Sequence, residues 1–409
     1  MLITNERAVR TAYPADLMSI LSVATAEESR QWLAEWDGLA PRPTPLYELK
    51  GLAERVGVAK VWLKDESVRS PLGSFKALGA PIALVRLIQR HWPADQMSAK
   101  ALFAGEHAAR LSDFSVISAT DGNHGKGLAA AAHSVGCRCV IVLHAHVSRE
   151  REDAIAAHGA EIVRITGNYD DSVAEAARLA ATNGWHVVSD TSYDGYEAIP
   201  RDVMQGYGTI AAEIVEALGE QVIPTHVFLQ GGVGGMAAGI ASYLWEVYGT
   251  HRPAVVIVEP TQADCLYQSA IHGMPSKATG SVDSIMAGLA CGETSPLAWR
   301  FLITGADFFM TIDDAEAVEA MRLLAEGNER DLPIVSGESG AAGLAGLRQA
   351  ARHPRLAEQL GLNRQSSVLL ISTEGATAPA LYADLVGESA ESVLSRQTRA
   401  LERALLPST

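Results

Sequence analysis

Four short stretches carry residues whose types and spacing suit covalent and acid–base chemistry. In "SPLGSFKALGA" (Ser70–Ala80), Lys76 follows Gly73, Ser74 and Phe75 and stands at the mouth of an apolar run that reads as a helix. Desolvation in an apolar pocket lowers a lysine pKa, which makes the amine nucleophilic towards carbonyl carbon, as a Schiff base requires. Taken alone, Lys76 reads as a surface residue. In "LQGGVGGMAAG" (Leu229–Gly239) a buried strand ends at Gly231, Gly232, Val233, Gly234 and Gly235, and an alanine-rich helix opens at Met236. Without a Cβ, backbone N–H groups approach an anion closely, and the helix N-terminus adds a favourable dipole. The stretch is either a phosphate cradle or a tight strand–helix turn. "SATDGNHGKG" (Ser118–Gly127) crowds Asp121, Asn123 and His124 into another such turn. Helix capping accounts for one polar residue there and less readily for three, while His124 by itself reads as structural. A late "STEG" offers the hydroxyls of Ser372 and Thr373.

An amine for an aldehyde, a cradle for a phosphate and polar strand ends around a heteroaromatic ring together describe pyridoxal phosphate (PLP). A rival reading takes Gly232, Gly234 and Ala237 as the dinucleotide pattern G-x-G-x-x-G/A, with Glu259 as the ribose-binding acid of an NAD-dependent oxidoreductase. That reading leaves Lys76 and the Asp121–His124 turn without a role.

The elements around these stretches must place them together. Short β-branched runs such as "FSVISAT", "RCVIVLH", "AEIVRIT", "WHVVSD", "THVFLQ", "AVVIVEP" and "SSVLLIST" alternate with helical patterns. This is the signature of an α/β protein with largely parallel, helix-flanked sheets, which bind ligands at the carboxyl ends of strands. The chain of 409 residues, 48% hydrophobic and 20% charged, is long enough for two cores. With no long linker, two domains must be intimately joined. The residues before Pro41 read as a mixed polar lead-in helix. A formal net charge of −15 argues against nucleic acid or an anionic membrane as partner. No run reads as a membrane span or signal peptide. The cysteines, Cys137, Cys139, Cys265 and Cys291, have no metal-site spacing, so no metal and a reducing cytoplasm are expected.

The order "GSFKALG", "SATDGNHG", "GGVGG", "STEG" resembles the fold type II PLP enzymes, the tryptophan-synthase β and threonine-dehydratase group. Within it, "ATDGNHG", "GNYDDSV", "DTSYDGYEAIPRDVMQGYGTIAAE", "IMAGLACGE" and "SGESGA" resemble the diaminopropionate ammonia-lyase family, from about Pro41 to Pro379. The family's lysine segment is nearer "NAFKMLG", so this chain departs from it just before Lys76.

The resemblance implies a lyase that converts L- and D-2,3-diaminopropionate to pyruvate and two ammonia. A serine or threonine dehydratase, or a lyase for a modified diaminopropionate, is the alternative within the fold. Lys76 is then the cofactor lysine and the base for the L-substrate, with Phe75 beside the ring. Asp121 is the base for the D-substrate, and Asp190 binds the distal amine. Asn123 meets the phenolic oxygen, and Gly231, Gly232, Val233, Gly234, Gly235 and Met236 form the phosphate loop. Ser372 or Thr373 meets the pyridine nitrogen, and the Thr120–Asp121 turn takes the substrate carboxylate. The resemblance also implies a homodimer. It makes a disulfide between Cys265 and Cys291 plausible, with two free thiols as the alternative. A large PLP-binding domain of residues 1–80 and 195–409 is expected, with a small domain of 81–194 inserted into it.

Overall fold

The structure, a computed structural model, describes residues 1–405 apart from positions 121, 146, 168 and 220, and apart from the side chains of 170, 404 and 405. Among the described residues the strands are β1 (Leu2–Thr4), β2 (Leu46–Glu48), β3 (Lys60–Asp65), β4 (Ser115–Ala119), β5 (Arg138–Leu143), β6 (Glu161–Arg164), β7 (His186–Val187), β8 (His226–Gln230), β9 (Ala254–Pro260), β10 (Phe308–Ile312) and β11 (Ser367–Ser372). They form a seven-stranded sheet in the order β1-β10-β9-β8-β11-β3-β2 and a four-stranded sheet in the order β6-β5-β4-β7. All pairings are parallel except at the two edges of the larger sheet, where β1 runs against β10 and β2 against β3.

The chemistry of the strands explains their places. β8, "HVFLQ", is buried along its whole length, and β9 and β11 are buried beyond their first residues. That is what a central parallel strand with helices on both faces requires. One core joins the sheets: Leu128, Val135 and Ile141 of the smaller body belong to the same buried cluster as Met204, Tyr207, Leu229 and Ile257 of the larger. A second core fills the other face of the large sheet. The bodies are therefore intimately joined, as the absence of a linker implies.

The lead-in holds more than a helix. Ser22 caps the helix Val23–Leu33 by accepting the Thr25 N–H, and Leu2–Thr4 adds an edge strand that period and length do not distinguish from coil. β2, β3 and β10 likewise carry no clear strand signal in the sequence. β3, "KVWLKD", begins and ends in charge, yet only Lys60 is exposed. Its second lysine, Lys64, is buried because Glu213 and the Thr44 carbonyl accept its protons at 2.5 and 2.7 Å. Arg69 completes the cluster by donating to both oxygens of Glu213 and of Glu66.

Candidate active site

The site is built where strand ends meet. The lysine segment leaves β3 through Arg69 and Gly73 and makes one 3₁₀ turn, Phe75–Leu78, before the helix Ala80–His91 begins. It is pinned to the end of β11, since the Phe75 N–H donates to the Thr373 carbonyl and the Gly375 N–H to the Gly73 carbonyl. Two helices close over it at glycines. A Cβ on Gly206 would lie 2.1 Å from the Leu78 carbonyl oxygen, and one on Gly127 would lie 3.0 Å from that of Lys76. Lys76 thus points from a backbone clamped on three sides.

Lys76 Nζ donates to Asp190 Oδ2. Its ammonium lies 5.3 Å from the Phe75 ring centre and 5.9 Å from that of Tyr207. Here the sequence expectation needs correcting. Burial disfavours the charge, but Asp190, Tyr207 and Cys291 outweigh it and hold the Lys76 pKa above the ordinary lysine value. For Asp190, burial works against ionisation, while Lys76 and then His124 outweigh it and hold the carboxyl below the usual range. The pair is a stored ammonium–carboxylate couple, and a lowered lysine pKa requires its separation.

Glycine geometry shapes the turn expected to cradle an anion. Gly232 and Gly234 have φ of +61° and +101°, a region that side-chain-bearing residues avoid. The turn they form presents the first N–H groups of the helix Gly235–Tyr248, which have no acceptor within that helix. Position 235 adjoins the Asp190 carbonyl oxygen, 3.7 Å from where a Cβ would be, so the turn lies against the residue that Lys76 pairs with. At position 234 a Cβ would meet Ala298 at 3.0 Å and Leu302 at 3.1 Å. Gly234→Ala is expected to weaken binding of the phosphorylated cofactor about tenfold, because backbone strain of this kind costs roughly 1–3 kcal/mol. Fluorescence titration of the cofactor-free chain measures it.

The rival dinucleotide reading fails at Glu259. Its Oε1 accepts the Leu266 N–H at 2.9 Å and its Oε2 the Tyr267 N–H at 2.7 Å. The carboxyl is buried, which pushes its pKa up to about 8, and a Cβ at Gly231 would lie 2.5 Å from its Cγ. Glu259 supports the turn from below and presents nothing to a ribose. Cys265 Sγ also lies beneath, 3.4 Å from the Gly232 carbonyl and 3.7 Å from Glu259 Oε1. Cys291 Sγ approaches the same turn, 3.6 Å from a Cβ built on Gly232. Both cysteines stand as thiols, and burial raises the pKa of Cys265.

Asn123 opens the helix Asn123–Val135, and its Nδ2 donates to Glu374 Oε2 at 2.5 Å. Glu374 Oε1 also accepts the Ser339 N–H at 3.2 Å, so this glutamate ties the smaller sheet's first helix to the larger sheet. It stands in "STEG", a motif singled out for its hydroxyls alone. Of those, Ser372 Oγ donates to Ser336 Oγ at 2.8 Å, and both residues are buried. The Thr120 N–H reaches the Val142 carbonyl at 3.4 Å, and its hydroxyl accepts the Gly122 N–H at 3.3 Å. Asp121, expected as a base, lies outside the described residues. Tyr207 was also missed, because its spacing in a long buried helix reads as core.

A family model described as "Pyridoxal-phosphate dependent enzyme" matches residues 38–374. The chain is 41% identical over 380 residues to a diaminopropionate ammonia-lyase of Escherichia coli, covering 91% of this chain and 94% of that protein. It superposes on the crystal structure of the selenomethionine-labelled holo diaminopropionate ammonia lyase from Escherichia coli with a TM-score of 0.86 and 40% identity, covering 94% and 96% of the two chains. That lyase in complex with an aminoacrylate–PLP azomethine reaction intermediate gives a TM-score of 0.84 at 39% identity, with the same coverage.

Proposed function

The chain belongs to the pyridoxal-phosphate dependent enzymes, and from that premise we propose how its residues perform a carbon–nitrogen bond cleavage. It is a fold type II enzyme and an ammonia-lyase that eliminates ammonia from 2,3-diaminopropionate, with pyridoxal phosphate as cofactor. The observation that carries the substrate side is the Asp190 carboxylate beside Lys76. A diamino acid brings a second amine whose N–H such a carboxylate accepts, whereas serine and threonine bring none.

The residues present fit the cofactor. The left-handed glycines at 232 and 234 and the helix N-terminus suit its phosphate, and Lys76, paired with Asp190 beside that turn, suits its aldehyde. Gly231, Gly232, Val233, Gly234, Gly235 and Met236 would hold the phosphate, and Asn123 would hold the phenolic oxygen. With Ser372 engaged by Ser336, Thr373 is the residue for the pyridine nitrogen. When bound, pyridoxal phosphate supplies the electron sink that makes the substrate's α-proton acidic.

Lys76 Nζ takes that proton from the L-substrate. Asp121, on the opposite face, takes it from the D-substrate. Asp190 holds the distal nitrogen, the N–H groups of the turn after Thr120 hold the carboxylate, and Phe75 and Tyr207 exclude water. We further propose a cytoplasmic homodimer. Among the described residues no helix is long and apolar enough to cross a membrane. The domain division at 81–194 is supported by a smaller sheet drawn wholly from residues 115–187.

Pyruvate release from L- and D-2,3-diaminopropionate, set against serine and threonine, tests the reading. Turnover of both diaminopropionate enantiomers is expected. Activity confined to the hydroxy amino acids overturns it.

A further inference from the structure

His124 carries a role beyond packing. It is buried at 5% exposure, on the first turn of the helix Asn123–Val135. Its Nε2 lies 2.9 Å from the Val188 carbonyl oxygen. A carbonyl only accepts, so Nε2 carries the hydrogen, and Nδ1 of the neutral ring is a bare lone pair. Among the described residues Nδ1 has no hydrogen-bond partner, and it faces Asp190 Oδ2 at 4.0 Å. That oxygen is the one Lys76 donates to. Three proton-holding atoms therefore stand in a row, Lys76 Nζ, Asp190 Oδ2 and His124 Nδ1. The two acceptors at the far end repel each other unless a proton lies between them.

Resting on the ammonia-lyase reading, we propose that, when Lys76 gives up its ammonium proton, Asp190 and His124 take that proton and hold it between them for the departing β-nitrogen, with His124 as a positioning residue that acts through Asp190. The leaving nitrogen of a neutral β-amine cannot depart as an amide anion. In the step, the Cα–H pair becomes the new Cα=Cβ bond and the α-proton lands on Lys76 Nζ. The Cβ–N bond breaks with its electron pair going to nitrogen, and the proton from the Asp190–His124 pair joins that nitrogen, which leaves as ammonia. The proton on Lys76 then passes to Asp190 along their hydrogen bond and restores the pair. No proton enters from outside.

Burial, with Lys76, outweighs Asp190 and holds the His124 pKa below the ordinary histidine value while Lys76 is an ammonium. Among the described residues, Tyr207, Tyr196 and Cys291 are the other titratable groups facing the row. By Coulomb's law Lys76→Ala raises the His124 titration point in the cofactor-free chain and Asp190→Asn lowers it. Histidine NMR titration reads both. Unmoved values, or shifts of one sign, overturn the proposal.

The second test compares diaminopropionate with β-chloroalanine, whose chloride leaves without a proton. The ratio of the kcat values is expected to fall about 10²-fold in His124→Gln, the scale of general acid–base catalysis, and comparably in Asp190→Asn. A ratio unchanged in His124→Gln overturns this inference alone. A wild-type chain that processes β-chloroalanine but not diaminopropionate overturns the substrate reading with it.

Discussion

Lys76→Ala is expected to reduce pyruvate formation by at least about 10³-fold, because one substitution removes both the amine proposed to bind the cofactor's aldehyde and the proposed base for the L-substrate. The protein also loses the yellow absorbance that borohydride bleaches. Lys76→Arg separates charge from nucleophilicity. Its guanidinium keeps a cation beside Asp190 but does not form the linkage, so its activity stays as low as that of alanine. Added methylamine restores part of the rate to Lys76→Ala and none to Lys76→Arg, whose side chain fills the space. Comparable activity in wild type and Lys76→Ala sinks the assignment. The D-substrate, whose proton is assigned to Asp121, is the internal control: its methylamine-rescued rate is expected to exceed that of the L-substrate.

Glu213→Ala is expected to remove about 3–5 kcal/mol of stability, the penalty for leaving buried cations without their partner. Glu213 accepts from Lys64 at 2.5 Å, from both terminal nitrogens of Arg69 at 2.7 Å each, and from the Thr44 N–H at 3.2 Å. Urea unfolding measures the loss. Burial pushes the Glu213 carboxyl up, and Arg69 and Lys64 outweigh it, so its pKa is below the ordinary value. Its contribution is then fully present above the unfolded glutamate pKa and lost as pH falls through the folded one. The acid limb of stability is expected to flatten in Glu213→Ala. A loss under about 1 kcal/mol sinks the prediction. Arg69 leads within a few residues to Gly73 and Lys76, so the variant's remaining folded fraction should also bind cofactor less tightly.

What the amino-acid order revealed depended on how local the signal was. Gly232 and Gly234 announce their turn because the backbone itself demands them. Parallel strands such as β8 and β11 announce themselves as unbroken apolar runs between helices. Lys76 became legible once three distant strand ends supplied the rest of a cofactor site. Its pKa did not, because the partner that decides the sign, Asp190, is 114 residues away in the chain. Lys64, Glu213 and Arg69 look like surface charges until the fold buries them together. Glu374 hid behind two hydroxyls, since only the tertiary structure brings it to Asn123. His124 read as a packed residue, and its one bonded nitrogen fits that reading; the direction of the other does not.

The floor beneath the glycine turn bears on how such a protein can change over generations. Gly231 is held by the Glu259 side chain, Gly232 by the Gly288 carbonyl and Cys291, and Gly234 by Ala298 and Leu302. Any one of these glycines that acquires a methyl group meets an atom from a different part of the chain. A neutral path to alanine at 231 must therefore pass through a prior shortening at 259, which itself releases the N–H groups of Leu266 and Tyr267. Descendants should vary at 231 and 259 together or at neither. The turn is expected to be inherited as a block.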